Sequence, residues 1–441
     1  MHAAPPTSSP RPGSTGARYC ARRWPHCAIV RAGAPDMRVH AFARRFPSLS
    51  QTFVLNQCTG LLDLGTELTV FADGADTTGL SHPDLVASDI TRRVRHYSIP
   101  EPWSRRPLPA LQLMTAASPL SVRQRFALLA PWRGGREAAS GRLLFEGATV
   151  ARERAPDILH AHFGPVGAMV DALRDAGVVA APLVTTFYGY DVSRTPASRY
   201  RRLFRNGDAF LVLSEAMRAR LLAMGAPSER VYIHRLGVDL ARFAPAAGTR
   251  PDVRGQLHLL SIARLVPKKG IADALRAVAR ARASVPTIRY TIVGDGPLRA
   301  ELERLATSLG VADVVRFAGW MAQQDVLAVA RTAHAVLAPS VTAPDGDAEG
   351  TPVAILEAQA LALPVVATRH AGIPEVVVDG ESALLVDEHD VEALASAIVT
   401  LADPQVAERM GAAGRALVER QHDIRRLNRE LLARFESLAR R

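Results

Sequence analysis

The chain reads as an α/β protein built from two doubly wound, Rossmann-like domains facing each other across a cleft. Three observations predict this. From Met37 onward, short apolar runs suited to buried strands alternate with helix-length segments, as in MRVHAF, LTVFA, DILHAHF and AFLVLS. The series then restarts at LHLLSIA and continues through YTIVG and VVRFAG. Between the two, an Ala/Gly/Pro segment near 244–251 reads as a linker. The expected organisation is a leader over 1–36, one domain over 37–247, a second over 248–415, and a final helical segment over 416–441.

Size and composition agree. A chain of 441 residues can bury two cores of ordinary size, and 48% hydrophobic with 5% aromatic residues suits an Ala/Leu/Val-rich enzyme. The net charge of +11 favours acidic partners, but the charge is dispersed and no nucleic-acid motif appears. No apolar run approaches the length of a membrane span. Cys20, Cys27 and Cys58 lack metal-ligand spacing, so neither zinc nor a disulfide framework is expected and the cytoplasm is the natural setting. Residues 1–36 are rich in Pro, Ser, Gly and Arg, without the apolar core of a secretory signal, and read as disordered. Met37 opens the first strand and is a candidate translation start.

In chain order, Phe46–Phe53 makes the first strand-to-helix turn, with Ser48 or Ser50 as cap for TFVLNQCTGLLDLG. Residues 92–154 are rich in arginine, opposed only by Glu101, Glu137, Glu146 and Glu153. Within them, SVRQRFALLAPW puts Val122, Phe126 and Leu129 on one helical face, with Trp132 beyond. That face suits either an anionic lipid surface or inward packing behind a solvated Arg face. His160 and His162 lie two apart on a strand and share a face, with no third or fourth metal ligand in register. Val184–Asp191 forms a strand and its exit turn, and Ser214 caps EAMRARLLAMG. The later Gly294-Asp295-Gly296-Pro297 fails as a dinucleotide fingerprint, since Arg299 takes the third glycine's place.

Two stretches of the second domain carry the chemistry. Ser261–Gly270 leaves a buried strand, enters a helix, and contributes Arg264, Lys268 and Lys269; the two lysines are the only ones in the chain. A compact ammonium charge at that site suits phosphate. In Glu349-Gly350-Thr351-Pro352-Val353-Ala354-Ile355-Leu356-Glu357, two carboxylates flank a helix start, with Thr351 as cap, Pro352 in the first turn and the helix running to about Leu363. The amides of Gly350, Thr351 and the first turn are then free for an anion. A calcium loop from Asp345 fails, because its bidentate position falls on Leu356 and Pro352 interrupts it. The layout suits a nucleotide-sugar, with diphosphate on the amides, one glutamate towards a sugar and the other towards ribose.

EGTPVAILEA resembles the Glu-x7-Glu motif of family 4 glycosyltransferases, and ARLVPKKG resembles that family's diphosphate loop. The resemblance runs from about Met37 to the C-terminus and is nearest to bacterial exopolysaccharide enzymes of the colanic-acid type, through FPSLSQTFVLNQ, HAHFGPVGA and RLGVDLARF. It implies a GT-B architecture, with the acceptor on the N-terminal domain, a UDP- or GDP-sugar on the C-terminal one, and a last helix crossing back. The implied reaction moves a hexose, with retention of configuration, to a repeat unit on a lipid-diphosphate carrier, without metal or cofactor, at the inner membrane face. Arg264 and Lys269 would hold the diphosphate with Gly350, Thr351, Pro352 and Val353, Glu357 the ribose, and Glu349 the sugar. By the same resemblance His162 lies beside the donor sugar. Two positions depart from the family: Gln51 replaces an acid, and Tyr188 replaces a histidine. A nucleotide-sugar epimerase of the same architecture, or a non-catalytic nucleotide-binding subunit, are the alternative readings.

Overall fold

The computed structural model describes residues 37–48, 51–75, 85, 88–115, 118–245 and 256–441. The leader, Ser50 and most of the expected linker lie outside that range.

Seven strands form the first sheet: β1 (Arg38–Phe42), β2 (Glu67–Ala72), β3 (Val94–His96), β4 (Ile158–His162), β5 (Leu183–Thr186), β6 (Ala209–Val212) and β7 (Val231–Ile233). Their spatial order is β3-β2-β1-β4-β5-β6-β7, with every pairing parallel. The second sheet comprises β8 (His258–Ile262), β9 (Arg289–Val293), β10 (Val315–Gly319), β11 (Ala335–Ala338), β12 (Val365–Thr368) and β13 (Ala383–Val386), ordered β10-β9-β8-β11-β12-β13 and again all parallel. Parallel strands covered on both faces must be apolar throughout; β4, β5, β6 and β12 are buried at every position. The two doubly wound domains expected from the sequence are present, in the GT-B arrangement.

Each sheet reverses its winding once, between β1 and β4 and between β8 and β11. A crevice opens at the carboxyl ends of strands where winding reverses. The loops leaving β1, β4, β8 and β11 supply Gln51, Phe163, Arg264 and Glu349, and all four line one cleft.

The expected division at 415/416 falls inside the helix Pro404–Gln421. The break comes at His422–Asp423, where the backbone leaves the helix to bond with Val238 on both sides: Val238 N–H donates to the His422 carbonyl at 2.8 Å, and Ile424 N–H to that of Val238 at 3.2 Å. Asp423 then caps Ile424–Ala439 by accepting from the Arg425 amide at 2.9 Å. Leu431, Phe435 and Leu438 of this last helix join Val39, Ala41, Ile158 and Val184 of the first sheet in one buried cluster. Truncating Phe435 to Ala would cost about 3–5 kcal/mol.

Helix Val122–Leu129 starts with a complete capping box, Ser121 with Gln124. It does not pack inward on the expected face. Leu128 and Arg125 are buried, Arg125 donating to the carbonyls of Leu120 and Met114 at 2.8 Å, while Val122, Phe126 and Trp132 are exposed by 61%, 65% and 83%. No helix among the described residues is long and apolar enough to cross a membrane.

Helix Thr52–Asp63 begins at the expected threonine, but Gln51 takes the cap position in place of a serine, its amide donating to the Ser48 carbonyl.

Candidate active site

The cleft encloses about 980 Å³ and takes walls from both domains. On the C-terminal side, helix Val353–Ala360 begins one residue beyond the expected start. Pro352 is extended (ψ 111°) and acts as the cap position, and Thr351 caps nothing: its hydroxyl is buried without a partner. The helix also ends early. Ala362 takes a left-handed φ of 54°, and Leu363 N–H returns to the Ala358 carbonyl, because Pro364 cannot continue a helix. The helix start still presents a row of free amides, a seat with the right chemistry for an anion. Among the described residues, the amides of Gly350, Thr351, Val353 and Ala354 make no backbone hydrogen bond, and they open onto the cleft.

Two carboxylates frame that seat under opposite influences. Burial pushes the Glu349 carboxyl up, but Lys269 at 3.0 Å and Lys268 at 3.7 Å outweigh it and hold the group below its ordinary range. Burial raises Glu357 to about 7, only partly offset by Arg242. Glu349 is thus a fixed anion, whereas Glu357 can accept or donate a hydrogen bond near neutrality. Arg264 is exposed on the cleft wall with no carboxylate partner among the described residues. Lys268 has a role the sequence did not reveal: its ammonium meets Asp347 at 3.2 Å and the Ala348 carbonyl at 3.3 Å, bracing the loop that carries Glu349.

The N-terminal wall is aromatic. Phe163 holds a φ of 77°, uncommon for a bulky residue, at the turn from β4 into helix Gly164–Asp175. Its ring packs on Tyr188 at 4.7 Å and Tyr190 at 5.5 Å, and Phe53 packs on Tyr188 at 4.5 Å. Buried Asp191 ties the two loops together, accepting from the amides of Gly164, Tyr188 and Gly189 at 2.9–3.0 Å. Nothing in the local sequence marks that role.

His162 is not on the cleft wall. It is buried, with Nδ1 2.8 Å from the Tyr188 hydroxyl, Nε2 unpartnered, and a pKa lowered to about 3 by burial. Its partner Tyr188, and not His162 itself, lines the cleft. His160 is structural as expected, its Nε2 2.8 Å from the Thr186 hydroxyl.

The domains touch at three glycines. A Cβ on Gly350 would lie 2.2 Å from the Tyr188 carbonyl oxygen, one on Gly189 would lie 3.1 Å from the Gly350 nitrogen, and one on Gly372 would lie 3.5 Å from the Ser214 hydroxyl oxygen. Beside them, Glu375 accepts from the amides of Glu215 and Ala216 at 2.6 and 2.9 Å, capping an N-terminal-domain helix from across the cleft. Among the described residues no cluster of three metal-ligating side chains occurs.

The chain matches the family model of group 1 glycosyl transferases over residues 252–417 and that of glycosyltransferase family 4 over residues 50–242. It is 34% identical over 411 residues to WcaL of Escherichia coli, a glycosyltransferase named for colanic acid biosynthesis, covering 91% of this chain and all of that one. With the amylovoran biosynthesis glycosyltransferase AmsK of Erwinia amylovora it shares 32% over 412 residues, again 91% and 100% of the two chains. The Anabaena HepE structure in complex with UDP and glucose superposes with a TM-score of 0.69 at 18% identity, over 91% of this chain and 100% of that one. Two matched family models, one on each side of the cleft, and relatives aligned along their whole length make this chain a member of the group 1 and family 4 glycosyltransferases.

Proposed function

We propose that the protein transfers a hexose from a nucleoside diphosphate sugar to an exopolysaccharide repeat unit on a lipid-diphosphate carrier, with retention of configuration. The observation that carries this reading is the seat between Glu349 and Glu357: unpaired amides at a helix start, with Arg264 exposed and Lys269 at its edge. Departure of a diphosphate concentrates negative charge on the leaving oxygen, and preorganised cations and amides stabilise that charge more in the transition state than in the ground state. Glu349, held ionised, orients the sugar hydroxyls near the reacting carbon. Glu357 bonds the ribose. His162 acts through Tyr188, whose phenol it fixes against the acceptor side. No metal is required where two cations and a helix end already face the diphosphate.

The names of WcaL and AmsK support an exopolysaccharide product, and the ligands in the HepE structure support a nucleotide-sugar donor. The exposed Val122, Phe126 and Trp132, among arginines, suit peripheral contact with anionic lipid at the cytoplasmic face.

Calorimetric titration with UDP and with GDP tests the donor site, with Arg264→Ala as control. The expected result is binding of one nucleotide, weakened roughly 10- to 100-fold in the variant, the worth of one or two charge-assisted bonds. Binding of neither, or equal binding by the variant, would move the phosphate site elsewhere.

A further inference from the structure

The loop from β11 to helix Val353–Ala360 carries Asp347 and Glu349, and both its ends are tied to one carboxylate outside the cleft. At its start, the Thr342 amide donates to Glu388 Oε2 at 2.7 Å, and the Thr342 hydroxyl lies 3.3 Å from Oε1. At its end, the Glu349 amide donates to His370 Nε2 at 3.0 Å, and His370 Nδ1 lies 2.5 Å from Glu388 Oε1. The His370 side chain is 1% exposed, seated in the turn after β12. We propose that His370 and Glu388 are positioning residues for the transfer reaction, clamping the loop so that the Glu349 carboxylate faces the sugar.

The hydrogen-bond pattern fixes the chemistry of the clamp. An N–H aimed at Nε2 requires that nitrogen to be bare, so the ring is neutral and its single proton sits on Nδ1, donated to Glu388. A second proton on the ring would place Nε2–H against the Glu349 N–H and open the clamp. The charged groups around the ring are Glu388 from the loop after β13 and Glu349 from the loop before the donor helix, with Lys268 and Lys269 beyond Glu349. The neighbouring Arg369 is turned to Asp379 at 2.6 Å.

This inference rests on the reading of Glu349 as a sugar-orienting group, and two variants separate the two ideas. His370→Gln puts a carbonyl oxygen where Nε2 stands, accepts the Glu349 N–H and cannot titrate. His370→Asn reaches Glu388 but leaves the Glu349 amide without an acceptor. Deuterium exchange on the full chain should show the 341–352 segment losing protection about tenfold or more in His370→Asn and keeping it in His370→Gln. Release of UDP from UDP-glucose, or of GDP from GDP-mannose, should fall roughly 10- to 100-fold in kcat in His370→Asn, as displaced positioning groups do, with nucleotide affinity nearly unchanged. His370→Gln should retain most of kcat. Equal protection in both variants, or equal loss of kcat and affinity in both, would overturn the clamp. If Glu349→Ala abolishes turnover while both His370 variants behave as wild type, only the clamp fails; if Glu349→Ala retains turnover, the reading beneath it fails.

Discussion

The Lys269 ammonium lies 3.0 Å from Glu349 Oε1, joining the two loops that the sequence singled out separately. Before any diphosphate arrives, the cation expected to hold it is engaged with the carboxylate expected to orient the sugar. Donor binding must therefore share Lys269 between two anions, and Lys268, already tied to Asp347, keeps Glu349 from being left without a counter-charge.

Removing that cation should expose the effect of burial on Glu349. Lys269→Met leaves a carboxyl that is 9% exposed with a weaker counter-charge, so its pKa rises. In the wild type the depressed value contributes stability above the ordinary carboxylate range, lost as pH falls through the folded value. The variant should show its acid limb of activity shifted to higher pH and nucleotide affinity reduced. Glu349→Ala should abolish transfer while keeping nucleotide binding. Steady-state pH profiles and calorimetry check both.

Gly350→Ala should separate the domains. Its Cβ would sit 2.2 Å from a backbone oxygen, which no side-chain rotation relieves. The Gly350 amide would be displaced from the anion seat and the Tyr188 loop pushed back. Activity should fall at least about 100-fold, the scale of a misplaced reacting group, while the clusters that do not cross the cleft keep the fold intact. Small-angle scattering should report a more open particle.

Phe126→Glu combined with Trp132→Glu should reduce co-sedimentation with vesicles containing anionic phosphatidylglycerol. Both side chains are mostly exposed, so thermal stability should stay within about 0.5 kcal/mol of wild type. Unchanged vesicle binding would remove this face from any membrane contact.

Acid should destabilise the fold steeply. His40, His234 and His422 are lowered to about 4 by burial, and His162 to about 3. Between pH 6.5 and those values the unfolded chain binds protons that the native state refuses. Each such histidine withdraws about 1.4 kcal/mol per pH unit over that window. Buried Glu146, raised to about 8, and Glu357, raised to about 7, act in the opposite direction, favouring the native state as pH falls through those values, and offset part of that loss. Melting temperatures should drop between pH 6.5 and pH 4.

Much of this was legible in the chain. Apolar strand runs predicted both sheets, and the family resemblance brought Arg264, Lys269, Glu349 and Glu357 to one cleft, whose walls they line. The finer geometry was not. Thr351 looked like a cap by type, yet the extended Pro352 moved the helix start past it. His162 followed its strand inward, and Tyr188, not His162, lines the cleft. The contacts of Lys268 with Asp347 and of His370 with Glu388 join residues 79 and 18 apart, through folding that no local pattern encodes. Phe126 faces outward because Arg125 and Leu128 take the buried side, and helical periodicity alone could not assign which face would be covered.

The crossing helix Ile424–Ala439 has a consequence for how the protein is made. It supplies Leu431, Phe435 and Leu438 to a core whose other members begin at Met37. Emerging from the ribosome at roughly 5–20 residues per second, the first domain waits on the order of 10–40 s for its lid while the second is synthesised. Until then Val39, Ala41 and Ile158 lie under an uncovered apolar floor. The first half to be translated is among the last to be finished, and a stalled or clipped message would yield a nascent chain with a complete second domain and a sticky, unfinished first one.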